Sequence, residues 1–214
     1  MRNEIIAKIL EDKTIAIVRG IYGQDCLGLA KALHQGGVNL LEVTFDQKSH
    51  QERLLTAETI SLLDRELGDK MMFGAGTVTT VEMVRLAKEA GSKFIISPDT
   101  NEEVIRATVE ADMVSIPGAF TPTEIAQAHR YGADFVKVFP VSYMGPSYIK
   151  TVAAPLSNVR MLAVGGVDNS NVREYQAAGA VGFGVASCLF KKDWVKNGEW
   201  ERITEAAKAF TALI

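Results

Sequence analysis

Cysteine is scarce in this chain: Cys26 and Cys188 are the only two among 214 residues, with no CxxC pair and no histidine cluster beside them. That excludes a disulfide framework and a thiolate metal site, and it fits a reducing compartment, so a cytoplasmic location is expected. Histidine is nearly as rare, and His34, His50 and His129 stand at no ligand spacing, so no metal and no cofactor is expected. An excess of basic charge is also missing. The 23 Lys and Arg against 26 Asp and Glu leave −3, scattered along the chain, which excludes a polyanion footprint and makes nucleic acid an unexpected partner. No apolar run approaches the roughly 20 residues needed to span a bilayer. Met1–Asp12 mixes Ile5, Ile6, Ile9 and Leu10 with Arg2, Glu4, Lys8 and Glu11, an amphipathic helix without the apolar core of a signal peptide, so a soluble protein away from membranes is expected. Nucleotide signatures are absent as well: Gly74–Val78 lacks the dinucleotide fingerprint, and there is no GxxxxGK[ST].

Apolar residues are plentiful, 47% of the total, enough for a sizeable core in one domain over residues 1–214. Eight short apolar runs occur, each followed by a turn of small residues and a segment of helical period. They are Thr14–Val18, Leu40–Thr44, Met71–Ala75, Phe94–Ser97, Met113–Pro117, Phe135–Phe139, Arg160–Val164 and Gly182–Val185. Helices are expected at about Gln24–Gln35, Gln51–Leu67, Val81–Ala90, Asn101–Glu110, Thr123–Tyr131, Ser147–Ala153, Ser170–Ala178 and Trp200–Leu213. Thr80, Thr121-Pro122-Thr123-Glu124 and Asn169-Ser170 supply helix starts, while Gly36-Gly37, Gly91, Gly132 and Gly179 supply stops. This alternation predicts an α/β fold, a (β/α)8 or TIM barrel with an N-terminal helix, with an open doubly wound sheet as the alternative.

The sixth run, Phe135-Val136-Lys137-Val138-Phe139-Pro140, sets one ammonium group inside an apolar strand. Alternation puts Lys137 on the face of Phe135 and Phe139. A solvated lysine is neutral about once in a few thousand at pH 7, and full burial lowers its pKa by as much as about 3–5 units. Lys137 is therefore a candidate for an uncharged amine that attacks a carbonyl carbon, against a strand-end lysine reaching solvent or paired with a core carboxylate. The second run repeats the anomaly, because Glu42 shares a face with Leu40 and Thr44. Strands two and six stand opposite each other in such a barrel, so the two groups approach through its interior, either for chemistry or as a structural ion pair.

Sites in this fold lie at the carboxyl ends of the strands. Arg19 there suits a planar carboxylate, and Thr77 offers a hydroxyl to a ligand oxygen. Gly165-Gly166 and Gly184-Val185-Ala186-Ser187 follow the last two strands and offer free amides, with a short helix expected to begin near Ser187, as a phosphate site. A surface arginine and ordinary turns are the competing readings.

In order and spacing, IAIVRG (Ile15–Gly20), GVNLLEVT (Gly37–Thr44), GAGTV (Gly74–Val78), ISP (Ile96–Pro98), Pro117-Gly118, KVFP (Lys137–Pro140), GP-YIK (Gly145-Pro146 with Tyr148–Lys150) and VGGV (Val164–Val167) form one pattern. With it the chain resembles the 2-keto-3-deoxy-6-phosphogluconate (KDPG) aldolase family, which includes 2-keto-3-deoxy-6-phosphogalactonate and 4-hydroxy-2-oxoglutarate aldolases. The resemblance implies a metal-free class I aldolase, usually a homotrimer, whose partners are a phosphorylated 2-keto-3-deoxy sugar acid and pyruvate. It makes Lys137 the Schiff-base lysine and Glu42 the general acid/base. Thr77, Pro98 and Phe139 would line the pyruvate end, and Gly165, Gly166 and Ser187 would hold the phosphate. Two departures matter: Asp46 stands where phosphogluconate members carry an arginine, leaving Arg19 for the carboxylate, and Val164 stands where many carry a threonine that meets a sugar hydroxyl. The rival readings are a phosphosugar isomerase, epimerase or synthase on the same barrel, and a non-catalytic sugar-phosphate sensor.

Overall fold

A computed structural model of the chain describes residues 2–214. Its strands are β1 (Thr14–Val18), β2 (Leu40–Thr44), β3 (Met72–Gly76), β4 (Phe94–Ile96), β5 (Val114–Ile116), β6 (Gly118–Ala119), β7 (Val136–Val138), β8 (Met161–Val164) and β9 (Gly182–Val185). All neighbours pair parallel, in the order β5-β4-β3-β2-β1-β9-β8-β7-β6. The run expected as one strand over Met113–Pro117 is divided. Pro117 has no N–H to give to a ladder, so β5 before it pairs with β4 and β6 after it pairs with β7. The seam still closes: Ser115 O accepts from the N–H of Asp134 (3.0 Å) and Phe135 (3.3 Å), and Pro117 O accepts from that of Lys137 (2.8 Å). Eight staves result, a (β/α)8 barrel in which the split fifth stave carries β5 and β6.

Around it run α1 (Arg2–Asp12), α2 (Gly23–Gln35), α3 (His50–Leu67), α4 (Val81–Glu89), α5 (Glu102–Glu110), α6 (Pro122–Arg130), α7 (Gly145–Ala153), α8 (Val172–Ala177), α9 (Lys192–Lys196) and α10 (Trp200–Thr211). Met1, which the expected first helix included, lies outside the described residues. Thr80 and Asn101 cap α4 and α5 through their side chains, and Thr121 with Glu124 forms a complete capping box on α6. The expected start at Asn169-Ser170 moves to Val172, because Asp168 and Asn171 spend their side chains on the preceding loop. The helix expected near Ser187 is absent. Ser187–Leu189 is a turn, closed by Leu189 N–H and Phe190 N–H donating to Ala186 O. Helix α9 and a 3₁₀ turn at Val141–Tyr143 went unforeseen.

Strand alternation sorts the apolar residues into two cores. Val43, Phe73, Val136, Val138, Ala163 and Phe183 point outward and pack under the helices. Ile15, Leu40, Phe94, Val114, Phe135 and Leu162 fill the barrel, and Ile5 and Ile9 of α1 plug its amino-terminal end. Arg2 ties that plug down through two bonds to Asp134, 2.8 and 3.0 Å long, and Asp134 also accepts from Ser115 N–H. The Phe94 ring lies over Gly74, its ladder partner on the neighbouring strand; a Cβ there would lie 2.2 Å from the ring. The barrel is thus dry and closed at one end, and the next interior layer toward the carboxyl ends contains Glu42 and Lys137.

Candidate active site

Arg19, Glu42, Thr77, Pro98, Lys137, Phe139, Gly165, Gly166 and Ser187, spread over 168 positions of sequence, all line one cavity of about 360 Å³ at the carboxyl ends of the strands. The structure therefore brings every candidate residue together. Ile17, Val164, Val167, Asp168 and Gly184 complete much of its wall.

Lys137 is 9% exposed and Glu42 is 1% exposed. The lysine does not turn out among the helices. Its neighbours in the strand ladder are Gly118 and Leu162, and its Nζ lies 4.8 Å from the centre of the Phe139 ring. Burial holds the amine below its ordinary pKa; the Glu42 charge opposes that shift and Arg19 adds to it. Burial pushes the Glu42 carboxyl up to about 6, against the pull of Lys137 and Arg19. The competing expectation of a contact ion pair is not met. Among the described residues no hydrogen bond or ion pair within 4.0 Å joins the two, and Glu42 Oε2 has no hydrogen-bond partner. An unpaired buried carboxylate is costly, so such a group is more often retained for chemistry than for stability. Beneath the pair a void of about 10 Å³ lies between Ile96, Ile116 and Leu162, at the lower limit for one water, so the amine is approached from the mouth.

Gly76 seats the carboxylate. A Cβ on Gly76 would lie 2.6 Å from Glu42 Oε2, closer than side-chain carbons come to oxygen, so the side chain of Glu42 occupies the volume that a larger residue at 76 would take. The next residue, Thr77, has φ +57, a left-handed backbone in a β-branched residue. Its hydroxyl accepts from an Arg19 guanidinium N–H at 3.0 Å. Arg19 and Thr77 thus form one polar wall, and the guanidinium is directed at the cavity from the side of β1.

At the other end, Gly165 and Gly166 have φ +86 and +102, conformations open to glycine. A Cβ on Gly166 would meet Ser142 at 2.5 Å, so the turn lies flat on the loop after β7. Asn171 fixes this turn, donating to Gly166 O at 2.8 Å and accepting from Asp168 N–H at 2.9 Å. Ser187 opens the facing turn and is exposed. The amide-rich lining is present without the helix N-terminus that the sequence suggested. Asp168 was missed by the sequence reading, although DNSN is a run of side chains that commonly fold back on their own backbone. Its carboxyl accepts from the Ser170 hydroxyl and N–H, which hold it below the usual carboxylate range.

A (β/α)8 barrel that closes at one end and holds a desolvated lysine opposite a buried carboxyl at the other is the site of an enzyme working through imine chemistry on a carbonyl substrate. The comparisons with known proteins give the family. The family model described as KDPG and KHG aldolase matches residues 5–206, and the chain belongs to that family. It is 34% identical to the 2-dehydro-3-deoxy-6-phosphogalactonate aldolase of Escherichia coli strain K12 over 92% of this chain and 91% of that one. It is 33% identical to the 2-dehydro-3-deoxy-phosphogluconate aldolase of Treponema pallidum strain Nichols over 89% and 88%. Among solved structures, it superposes on KDPG aldolase from Legionella pneumophila with pyruvate captured at low pH as a covalent carbinolamine intermediate. The TM-score for that pair is 0.85, at 27% identity over 96% of this chain and 97% of that one.

Proposed function

We propose that this chain is a class I aldolase that cleaves a 2-keto-3-deoxy-6-phospho sugar acid to pyruvate and glyceraldehyde 3-phosphate through an imine on Lys137. The observation that carries this reading is a nearly buried amine, depressed by desolvation, facing a wholly buried carboxyl that it does not pair with. Neutral Lys137 adds through Nζ to the C2 ketone and forms a carbinolamine. Glu42 protonates the C2 hydroxyl, water leaves, and an iminium remains. Glu42, now the base, takes the C4 hydroxyl proton; the C3–C4 bonding pair moves into the iminium and leaves an enamine, while C4 departs as the aldehyde of glyceraldehyde 3-phosphate. Protonation of the enamine carbon and hydrolysis of the iminium release pyruvate and restore the amine. A carboxyl with pKa about 6 is protonated in about one molecule in ten at pH 7, so one group serves as acid and as base.

Arg19 and Thr77 hold the substrate carboxylate, Pro98 and Phe139 wall the pyruvate half, and the amides near Gly165, Gly166 and Ser187 bind the phosphate and so position the reacting bond. Val164 offers methyl groups and no hydroxyl at the cavity wall, so nothing at that position reads the C4 configuration, and the substrate is 2-keto-3-deoxy-6-phosphogluconate or its C4 epimer. 4-Hydroxy-2-oxoglutarate, cleaved to pyruvate and glyoxylate, follows from the same chemistry without the phosphate. The reading extends to one aldolase domain over residues 1–214 that works as a cytoplasmic homotrimer, on the family resemblance; both cysteines are free, and no described helix is long and apolar enough to cross a membrane. The test offers each C4 epimer to the wild type and to Lys137→Met and follows pyruvate release. Release from at least one epimer by the wild type and none by the variant is expected. No release from either epimer, or an active Lys137→Met, would refute the proposal.

A further inference from the structure

Thr77 is held in a conformation that its own side chain opposes. A β-branched residue at φ +57 is strained, and it persists where surrounding contacts outweigh the strain. Those contacts come from the loop between β2 and α3. Gln47 Nε2 donates to the Thr77 carbonyl at 2.7 Å, and Gln47 Oε1 accepts from the Thr79 hydroxyl at 2.8 Å. The orientation of the amide is fixed, because a carbonyl only accepts and must therefore face the nitrogen. Gln47 thus spans the turn that follows Gly76 and grips it on both sides of Val78. Asp46 stiffens the loop from which Gln47 reaches, since its carboxylate accepts the N–H groups of Lys48 and Ser49 at 2.7 Å each.

The consequence lies one residue further in. With Thr77 held this way, its hydroxyl accepts from Arg19 and keeps its own hydrogen free for an anion in the cavity. Released from the left-handed region, Thr77 would swing that hydroxyl elsewhere and leave the guanidinium without its neighbour.

We propose that Gln47 is a positioning residue for the carboxylate-binding wall: by clamping Thr77 O and Thr79 Oγ1 it keeps Thr77 left-handed, and thereby sets Thr77 and Arg19 for the carboxylate of the pyruvate half. This rests on the aldolase reading for the identity of the ligand but not for the clamp. Gln47 reaches no reacting atom. It acts on binding more than on bond cleavage.

The test uses Gln47→Ala and the near-isosteric Gln47→Glu, which keeps the shape but cannot donate to a carbonyl. In each, the pyruvate concentration that half-saturates borohydride trapping is measured, with kcat and KM for cleavage beside it. Losing the bond to the Thr77 carbonyl, alone in Gln47→Glu and together with that to Thr79 in Gln47→Ala, should raise half-saturation and KM about tenfold with kcat changed less than about threefold. The same substitutions are repeated in Thr77→Gly, where glycine adopts φ +57 without a clamp, and there they should have no effect. Equal effects in both backgrounds, or none in the wild type, would overturn the proposal. A crystal structure of Gln47→Glu separates this from failure of the aldolase reading: Thr77 is expected to leave the left-handed region and lose its bond to Arg19 whatever the ligand proves to be. Thr77 unmoved in that structure would also overturn the proposal.

Discussion

Replacing Gly76 by alanine adds one methyl group where Glu42 has its carboxyl. The new Cβ would stand 2.6 Å from Oε2 and 2.7 Å from Cδ, whereas ordinary contact begins near 3.4 Å, so the carboxyl must retreat by about 0.8 Å (3.4 less 2.6). The backbone can take alanine, because Gly76 lies in β3 and is not among the left-handed glycines. A side chain pushed about 30° off its rotamer costs about 0.5–1.5 kcal/mol. Loss of glycine's freedom in the unfolded chain offsets this by about 0.4–1 kcal/mol. Stability should hence barely move, with Tm within about 5 °C of the wild type. Catalysis should not be spared. A catalytic group misplaced by about 1 Å loses on the order of 100-fold in rate, and that is the fall in kcat expected for Gly76→Ala. The assay is pyruvate release at saturating substrate, run beside a thermal melt. A folded Gly76→Ala whose kcat lies within about twofold of the wild type would refute the argument that the missing side chain at 76 places the acid/base.

Further outcomes follow from the same geometry. Glu42 rises from 4.5 to about 6 on folding, so the folded state binds the proton more tightly than the unfolded chain, and stability falls as pH rises through that window by about 2 kcal/mol (1.5 times 1.36). Glu42→Gln removes that penalty; above pH 6 it should melt higher than the wild type while losing on the order of 1,000-fold in kcat, and a lower Tm with near-normal turnover would contradict both parts. In the wild type kcat/KM, which reports the free enzyme, should fall about tenfold per pH unit below 6, since the base form of Glu42 carries the cleavage step; a flat profile from pH 4 to 7 would exclude it from that role. Arg19→Ala should weaken pyruvate binding by about 10- to 100-fold, as expected for a hydrogen-bonded charge pair, and unchanged affinity measured by saturation of trapping would place the carboxylate elsewhere.

Runs whose two faces both need burial were legible in the sequence. Thr14–Val18, Leu40–Thr44 and Gly182–Val185 end where the patterning places them, because short runs of apolar and small residues, broken only by Glu42, lie between turns. Lys137 and Glu42 were legible for the complementary reason: a charge on an interior face is an exception that periodicity exposes. Pro117 was visible too, yet its effect was not, since a missing N–H divides a strand only in relation to the neighbours it would have bonded. The turn at Ser187 was misread as a helix start because Ala186-Ser187-Cys188-Leu189 has helix-compatible residues, and nothing in it reveals that the chain tightens around Ala186 O. Pro98 and Phe139 entered through family resemblance alone, their types being as common in plain turns and cores. The roles of Gly76 and Gln47 depend on contacts across 34 and 30 positions, and no local pattern carries those.

The most direct measurement is to incubate the protein with pyruvate, reduce with borohydride, digest, and locate the added mass. The account predicts one stable adduct, on Lys137, lost when Lys137 is replaced by methionine and formed at neutral pH without any added cofactor. An adduct on another lysine, or none at saturating pyruvate, would contradict the claim that the barrel interior turns this amine into the nucleophile.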